Sequence, residues 1–268
     1  MNSVSLITIC NFGYRFITSN MLASLKKINL LEKMTVFCLD TKTSDYLKTS
    51  YPQCNYEILV NTASEELVDF RRKGWNHIVY YKMKAIYFSL KKNNRVLFID
   101  GDIVLYNDPL KYLETELKDK DILLQTDIIV SNELYNSYFE TISKFKTSNE
   151  LVNYFNTCGY LKPEANTGFM YIKSSPKTLS FFNYNNIDIE TFGCDQIYIN
   201  DKINNLNYGL LKVELFPTGL YIKSMYITVL KSSNNIEKKH FIMHFNYTLA
   251  SFNKIDTIKK MNSWYIDK

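Results

Sequence analysis

The run Arg95-Val96-Leu97-Phe98-Ile99-Asp100-Gly101-Asp102-Ile103-Val104-Leu105 joins two short apolar segments through an acidic pair. An apolar run bounded by such turn-forming residues predicts a strand buried on both faces. Upstream, similar runs at Val4–Cys10, Met34–Leu39 and Tyr56–Val60 are separated by helical patterns, one reaching to Ile28 and one from about Trp75 to Lys92. Strand and helix in alternation specify an α/β fold, a central and mainly parallel sheet flanked by helices. Ligands of such sheets bind beyond the carboxyl ends of the strands. The polar residues expected there are Asn11, Asp40, Asp100 with Asp102, and Asp127, which closes Leu123-Leu124-Gln125-Thr126.

Composition narrows the function classes. In 268 residues, 46% are apolar, 15% aromatic and the net charge is +5, which excludes a disordered chain. No apolar run approaches the roughly 20 residues that span a bilayer. Met1–Cys10 lacks a basic n-region and reads as a first strand, not a signal peptide. The five cysteines are scattered and never form C-x-x-C, which argues against a disulfide framework or structural zinc. The expectation is a cytoplasmic protein, soluble or peripheral to a membrane. Four arginines and no basic tract argue against nucleic acid as a partner. Residues 131–162 are the least patterned and are expected to form an insertion over the site. From Lys254 onward, Ile255, Ile258 and Met261 share one helical face opposite Lys259 and Lys260, which predicts a helix packed on the core.

The acidic pair carries the chemistry. A bare D-x-D is worth little, since 14 aspartates in 268 residues give roughly 0.7 matches by chance. Asp119-Lys120-Asp121 is such a match and reads as a solvated face. Asp100 and Asp102 differ in being flanked by apolar strands. Two carboxylates placed there repel each other unless a cation or proton intervenes, and two oxygen donors with a small residue between them can turn toward one hard cation. Capping and ion pairing at a strand end would use the same residues. A phosphatase of the haloacid dehalogenase type also has D-x-D at a strand end, but normally after the first strand. A sugar nucleotidyltransferase needs a Gly-rich loop after strand one, and Asn11-Phe12-Gly13-Tyr14 is not one. A glycosyltransferase holding a diphosphate through a metal remains.

Several blocks in order resemble the metal-dependent retaining glycosyltransferases of the GT-A fold, especially the glycogenin and galactosyltransferase family and the related nucleotide-diphospho-sugar transferases. They are Thr8-Ile9-Cys10-Asn11-Phe12-Gly13-Tyr14, Phe98-Ile99-Asp100-Gly101-Asp102, Asn166-Thr167-Gly168, Gly193-Cys194-Asp195-Gln196, and Phe241-Ile242-Met243-His244-Phe245-Asn246. The resemblance implies a Rossmann-like GT-A domain over residues 1–268, with a nucleotide-binding half at 1–105 and a sugar and acceptor half at 106–268. It implies a UDP-sugar donor, Mn²⁺ or Mg²⁺ on Asp100, Asp102 and His244, retention of configuration, and a glycan or protein hydroxyl as acceptor.

It also implies donor contacts. Asn11 and Tyr14 would seat the base and ribose, and Asp40 could take a ribose hydroxyl; Thr8, Gly101, Asn166, Thr167, Gly168 and Asn246 would line the donor. Lys84, on the helix before the acidic strand, would contact it, and Asp127 would bind its sugar hydroxyls. Asp195 and Gln196 would stand at the anomeric carbon. The glycogenin pattern carries a phosphate-binding Lys shortly after its late Gly, where this chain has Tyr247 and Ala250, so Lys254 is the substitute. For several residues a plainer reading stands alongside: His244 as a core histidine, Asp195 or Asp40 as a helix cap, Lys84 as helix surface, Asp127 as a strand end. A non-catalytic nucleotide-sugar or glycan-binding module is the alternative, with the phosphatase behind it.

Overall fold

The computed structural model describes residues 4–60, 74–129, 162–204, 211–215, 221–223, 241–246 and 251–266. The first strands are β1 (Val4–Cys10), β2 (Met34–Cys38), β3 (Asn55–Ile58), β4 (Arg95–Ile99) and β5 (Ile103–Leu105). Later come β6 (Ile122–Ile129), β7 (Lys162–Lys173), β8 (Val213–Leu215), β9 (Tyr221–Lys223) and β10 (Ile242–His244). The helices are α1 (Arg15–Lys27), α2 (Thr41–Ser50), α3 (Trp75–Lys92), α4 (Leu110–Glu116), α5 (Pro176–Phe181), α6 (Asp195–Asn204) and α7 (Ser251–Lys260). Seven strands form the main sheet in the order β3-β2-β1-β4-β7-β6-β8. All neighbours are parallel except the two pairings made by β7. The expected α/β architecture and its mainly parallel sheet are therefore present, and no described helix is long and apolar enough to cross a membrane.

Alternation along the strands builds two cores. Leu6, Cys10, Leu97 and Ile99 face α1, α2 and α4; Ile7, Val96 and Phe98 face α3, α5 and α6. On α3 the inward stripe is Val79, Met83, Ile86 and Leu90, each contributing about 1.5–3 kcal/mol by leaving water. Gly74 starts that helix at φ 91°, a left-handed conformation that a side chain would strain. Ser175 and Thr178 cap α5 reciprocally, with Pro176 in its first turn.

Two features were not expected from the sequence. A small sheet, β5-β10-β9, lies over the first core and pairs His244 with Ile103. In addition, β7 breaks register with β6. Leu124 pairs with Met170 but Gln125 pairs with Asn166, so Thr167, Gly168 and Phe169 bulge out of the ladder. Of the proposed insertion at 131–162, residues 131–161 lie outside the described residues, and Lys162 begins β7. Among the described side chains of α7, Lys254 and Ile258 are buried, as is Met261 just beyond it, while Ile255 is half-buried. The inward face therefore includes Lys254, which pairs with Asp102.

Candidate active and metal site

The two carboxylates sit where β4 ends, and the bulge of β7 packs against them. Asp100 N–H donates to the Gly168 carbonyl at 2.7 Å, fixing the acidic turn to the bulge. Phe245 N–H, just after β10, donates to the Asp102 carbonyl at 3.1 Å and brings the late strand to the same point. Nε2 of His244 then lies 3.2 Å from Asp102 Oδ1 and 4.0 Å from Asp100 Oδ2. One donor atom from each of these three residues lies within 4.8 Å of the others. Nδ1 of His244 is 2.7 Å from Gln125 Oε1. A Cβ at Gly168 would overlap His244 Cε1 and come within 2.8 Å of Asp100 Oδ2, so the glycine keeps this space open. Two carboxylates and one imidazole around such a gap form a donor set that fits Mn²⁺ well and Mg²⁺ less well.

Two buried lysines flank the acids. Lys82 Nζ lies 3.2 Å from Asp100 Oδ1 and 2.7 Å from Asp195 Oδ2, and Thr167 Oγ1 donates to that same Asp195 oxygen at 2.7 Å. Lys254 Nζ pairs with Asp102 Oδ2 and reaches Tyr14 Oη at 3.2 Å. Burial alone would strip charge from all of these groups. Burial pushes Asp102 up, yet the Lys254 ammonium outweighs it and holds its carboxyl well below the usual range. Burial likewise pushes Asp195 up, and Lys82 with the Thr167 hydroxyl overcomes it, so Asp195 is lowered. Asp100 is raised, by burial and by the charge of Asp102, against the pull of Lys82. Both lysines are raised, since their carboxylates outweigh the cost of burial. A cavity of about 740 Å³ between the N-terminal ends of α3 and α6 is lined among others by Trp75, His77, Phe192, Cys194, Ile197 and Tyr198, and not by Asp195.

A family model described as nucleotide-diphospho-sugar transferase matches residues 29–258, which take in both carboxylates, both lysines and the histidine. The chain belongs to this family. The chain is 22% identical to UDP-galactose:fucoside alpha-3-galactosyltransferase of Dictyostelium discoideum, over 98% of this chain and 43% of that protein. It is also 22% identical to UDP-D-xylose:L-fucose alpha-1,3-D-xylosyltransferase 3 of Arabidopsis thaliana, over 97% and 67%. The chain thus spans less than half the length of the first of these relatives. Among solved structures it superposes on mouse xyloside xylosyltransferase 1 with TM-score 0.51 and 10% identity, over 92% of this chain and 99% of that one. It superposes on the galactosyltransferase LgtC, solved with donor and acceptor sugar analogs, with TM-score 0.50 and 12% identity, over 98% and 97%. At such identities the likeness shows the GT-A fold.

The structure gathers Tyr14, Asp100, Asp102, Thr167, Gly168, Asp195, His244 and Lys254 into one site. Asn166 and Gln196 lie at its rim, tied by Asn166 Nδ2 donating to Gln196 Oε1 at 3.1 Å, while Asn166 Oδ1 accepts from Gly168 N–H at 2.9 Å. Gly101 packs on α1, where a Cβ would meet Thr18 Oγ1 at 2.5 Å. Asn11 accepts from Tyr14 N–H and shapes the turn after β1. Asn246 closes its segment two residues beyond His244. Asp127 is on β6 opposite Glu164, and its side chain is outside the described residues.

Three expectations need correction. Thr8 has no exposed surface and lies on the face of β1 shared with Leu6 and Cys10, so the structure places it in the first core and not in the open part of the site. Asp40 is engaged by Phe12 N–H, Thr43 N–H and the Thr43 hydroxyl at 2.9, 2.7 and 2.8 Å, so it caps α2 instead of awaiting a ribose. Lys84 stands over the rings of Tyr81, Phe88 and Tyr184, away from the acids, and Lys82 takes the place assigned to it. The signal for Lys82 was available: it is the one cation on the α3 stripe of Val79, Met83 and Ile86. Gln125, a fully buried amide in an apolar strand, was the other residue missed.

Proposed function

We propose that the chain transfers a sugar from a UDP-sugar to a hydroxyl acceptor, using a divalent cation held by Asp100, Asp102 and His244, with retention of configuration. The observation that carries this is the convergence of those three donors between Lys82 and Lys254. Three lone-pair donors facing one gap repel one another, and a cation in the gap relieves this. A bound Mn²⁺ would neutralise charge developing on the leaving diphosphate. Lys82 and Lys254 supply fixed positive charge on either side, and Tyr14 stands beside Lys254 to receive the nucleoside end. Asp195, kept ionised by Lys82 and Thr167, is placed to stabilise positive charge on the sugar, with Gln196 beside it.

UDP-linked galactose and xylose are held through α linkages, and the names of both relatives specify α products, which supports retention. Because the site draws on Asp100 and on Lys254, residues 1–268 are read as one catalytic unit. The test is release of UDP from UDP-galactose, UDP-glucose and UDP-xylose with and without Mn²⁺, using fucosides as the first acceptors. We expect Mn²⁺-dependent UDP release that acceptor accelerates. Binding of UDP-sugar without any release would make the chain a binding module instead.

A further inference from the structure

We propose that Gln125 is a positioning residue that fixes the tautomer of His244, aiming the bare Nε2 at the acidic pair; this rests on the metal reading of the site. Gln125 is fully buried on β6 at the step where β7 leaves register. Its inward direction follows from alternation, since Leu123 faces the first core and Leu124 the second. At that position a leucine would extend the apolar stripe, whereas the amide places Oε1 2.7 Å from His244 Nδ1.

An amide oxygen carries no proton, so the hydrogen bond requires one on Nδ1. In a neutral imidazole the lone pair is then on Nε2, the atom 3.2 Å from Asp102 Oδ1. The opposite tautomer would oppose two lone pairs at Gln125 and leave no ligand atom toward Asp100. A histidine ligand typically depends on such a partner for about 10–100-fold in metal affinity.

The test needs no turnover. Isothermal titration with Mn²⁺ should show Gln125→Met, which preserves volume but removes the acceptor, binding about 10–100-fold more weakly than wild type. Gln125→Glu restores an acceptor oxygen and should bind at least as tightly as wild type. With three histidines in the chain, ¹⁵N spectra of the metal-free wild type can be assigned, and His244 should carry its proton on Nδ1. Should Gln125→Met fold poorly, the wild-type spectrum and the glutamate variant still decide. A His244 whose Nδ1 carries no proton, or equal Mn²⁺ affinity in the methionine variant and wild type, overturns the role of Gln125. A wild-type chain that takes up no Mn²⁺ while its His244 is Nδ1-protonated overturns the metal reading instead, and the proposed purpose with it.

Discussion

A methyl group at Gly168 would collide with the His244 ring and crowd Asp100, so Gly168→Ala must displace one of the two. We expect its Mn²⁺ affinity to fall at least about tenfold, a loss in the range seen when a ligand is misaimed, measured by calorimetry on a chain whose circular dichroism is unchanged. Asp102→Asn acts twice. It removes an anionic donor, lowering UDP release by about 10²–10³-fold. It also leaves Lys254 buried without its counter-charge, at a cost of about 3–5 kcal/mol in urea unfolding. A variant of wild-type stability would mean that Lys254 finds another partner. At this scale the sequence was informative where chemistry stood against its surroundings. Asp100, Asp102 and His244 interrupt apolar runs, and a polar group there requires a reason. Gln125 interrupts one as well, but a neutral amide announces itself less than a charge, and its partner is 119 residues away.

Helix α3 shows how an element divides its lysines. Lys82 and Lys84 are two residues apart, about 200° around the helix, so only one can reach the sheet. Lys82→Met leaves the buried Asp195, and the half-buried Asp100 beside it, without their cation, and should cost about 3–5 kcal/mol of stability as well as activity. Lys84→Met, which loses only contacts with aromatic rings, should cost no more than about 0.5–1 kcal/mol. Equal losses in urea melts would contradict this assignment. The same reasoning applies to α2, where Asp40→Ala should cost about 1 kcal/mol through the lost cap. It should weaken UDP binding only through the loosened turn at Phe12. The extents of α3 and β4 could be read from periodicity, because both bury a regular stripe. The register break in β7 could not, since a bulge depends on what packs against it and leaves no period in Lys162–Lys173.

Across the whole molecule, the described cysteines report on how tightly the layers close. Burial pushes the Cys10 thiol far above its ordinary value, Cys38 to about 12 and Cys54 to about 11. Alkylation requires the thiolate, so at pH 8 these three should react with iodoacetamide only as fast as the chain unfolds. The half-buried Cys194 should be modified earlier; peptide mapping by mass gives the order. Rapid labelling of Cys38 in the native state would reveal local opening of β2. The pairing of Lys254 with Asp102 spans 152 residues, and this has a bearing on synthesis. At about 5–20 residues per second, the ribosome makes the acidic turn roughly 8–30 seconds before the lysine that neutralises it. During that interval the nascent sheet carries two carboxylates with no late histidine or lysine to balance them. Released fragments that stop short of α7 should therefore be poor folders and ready substrates for chaperones, however complete their sheet.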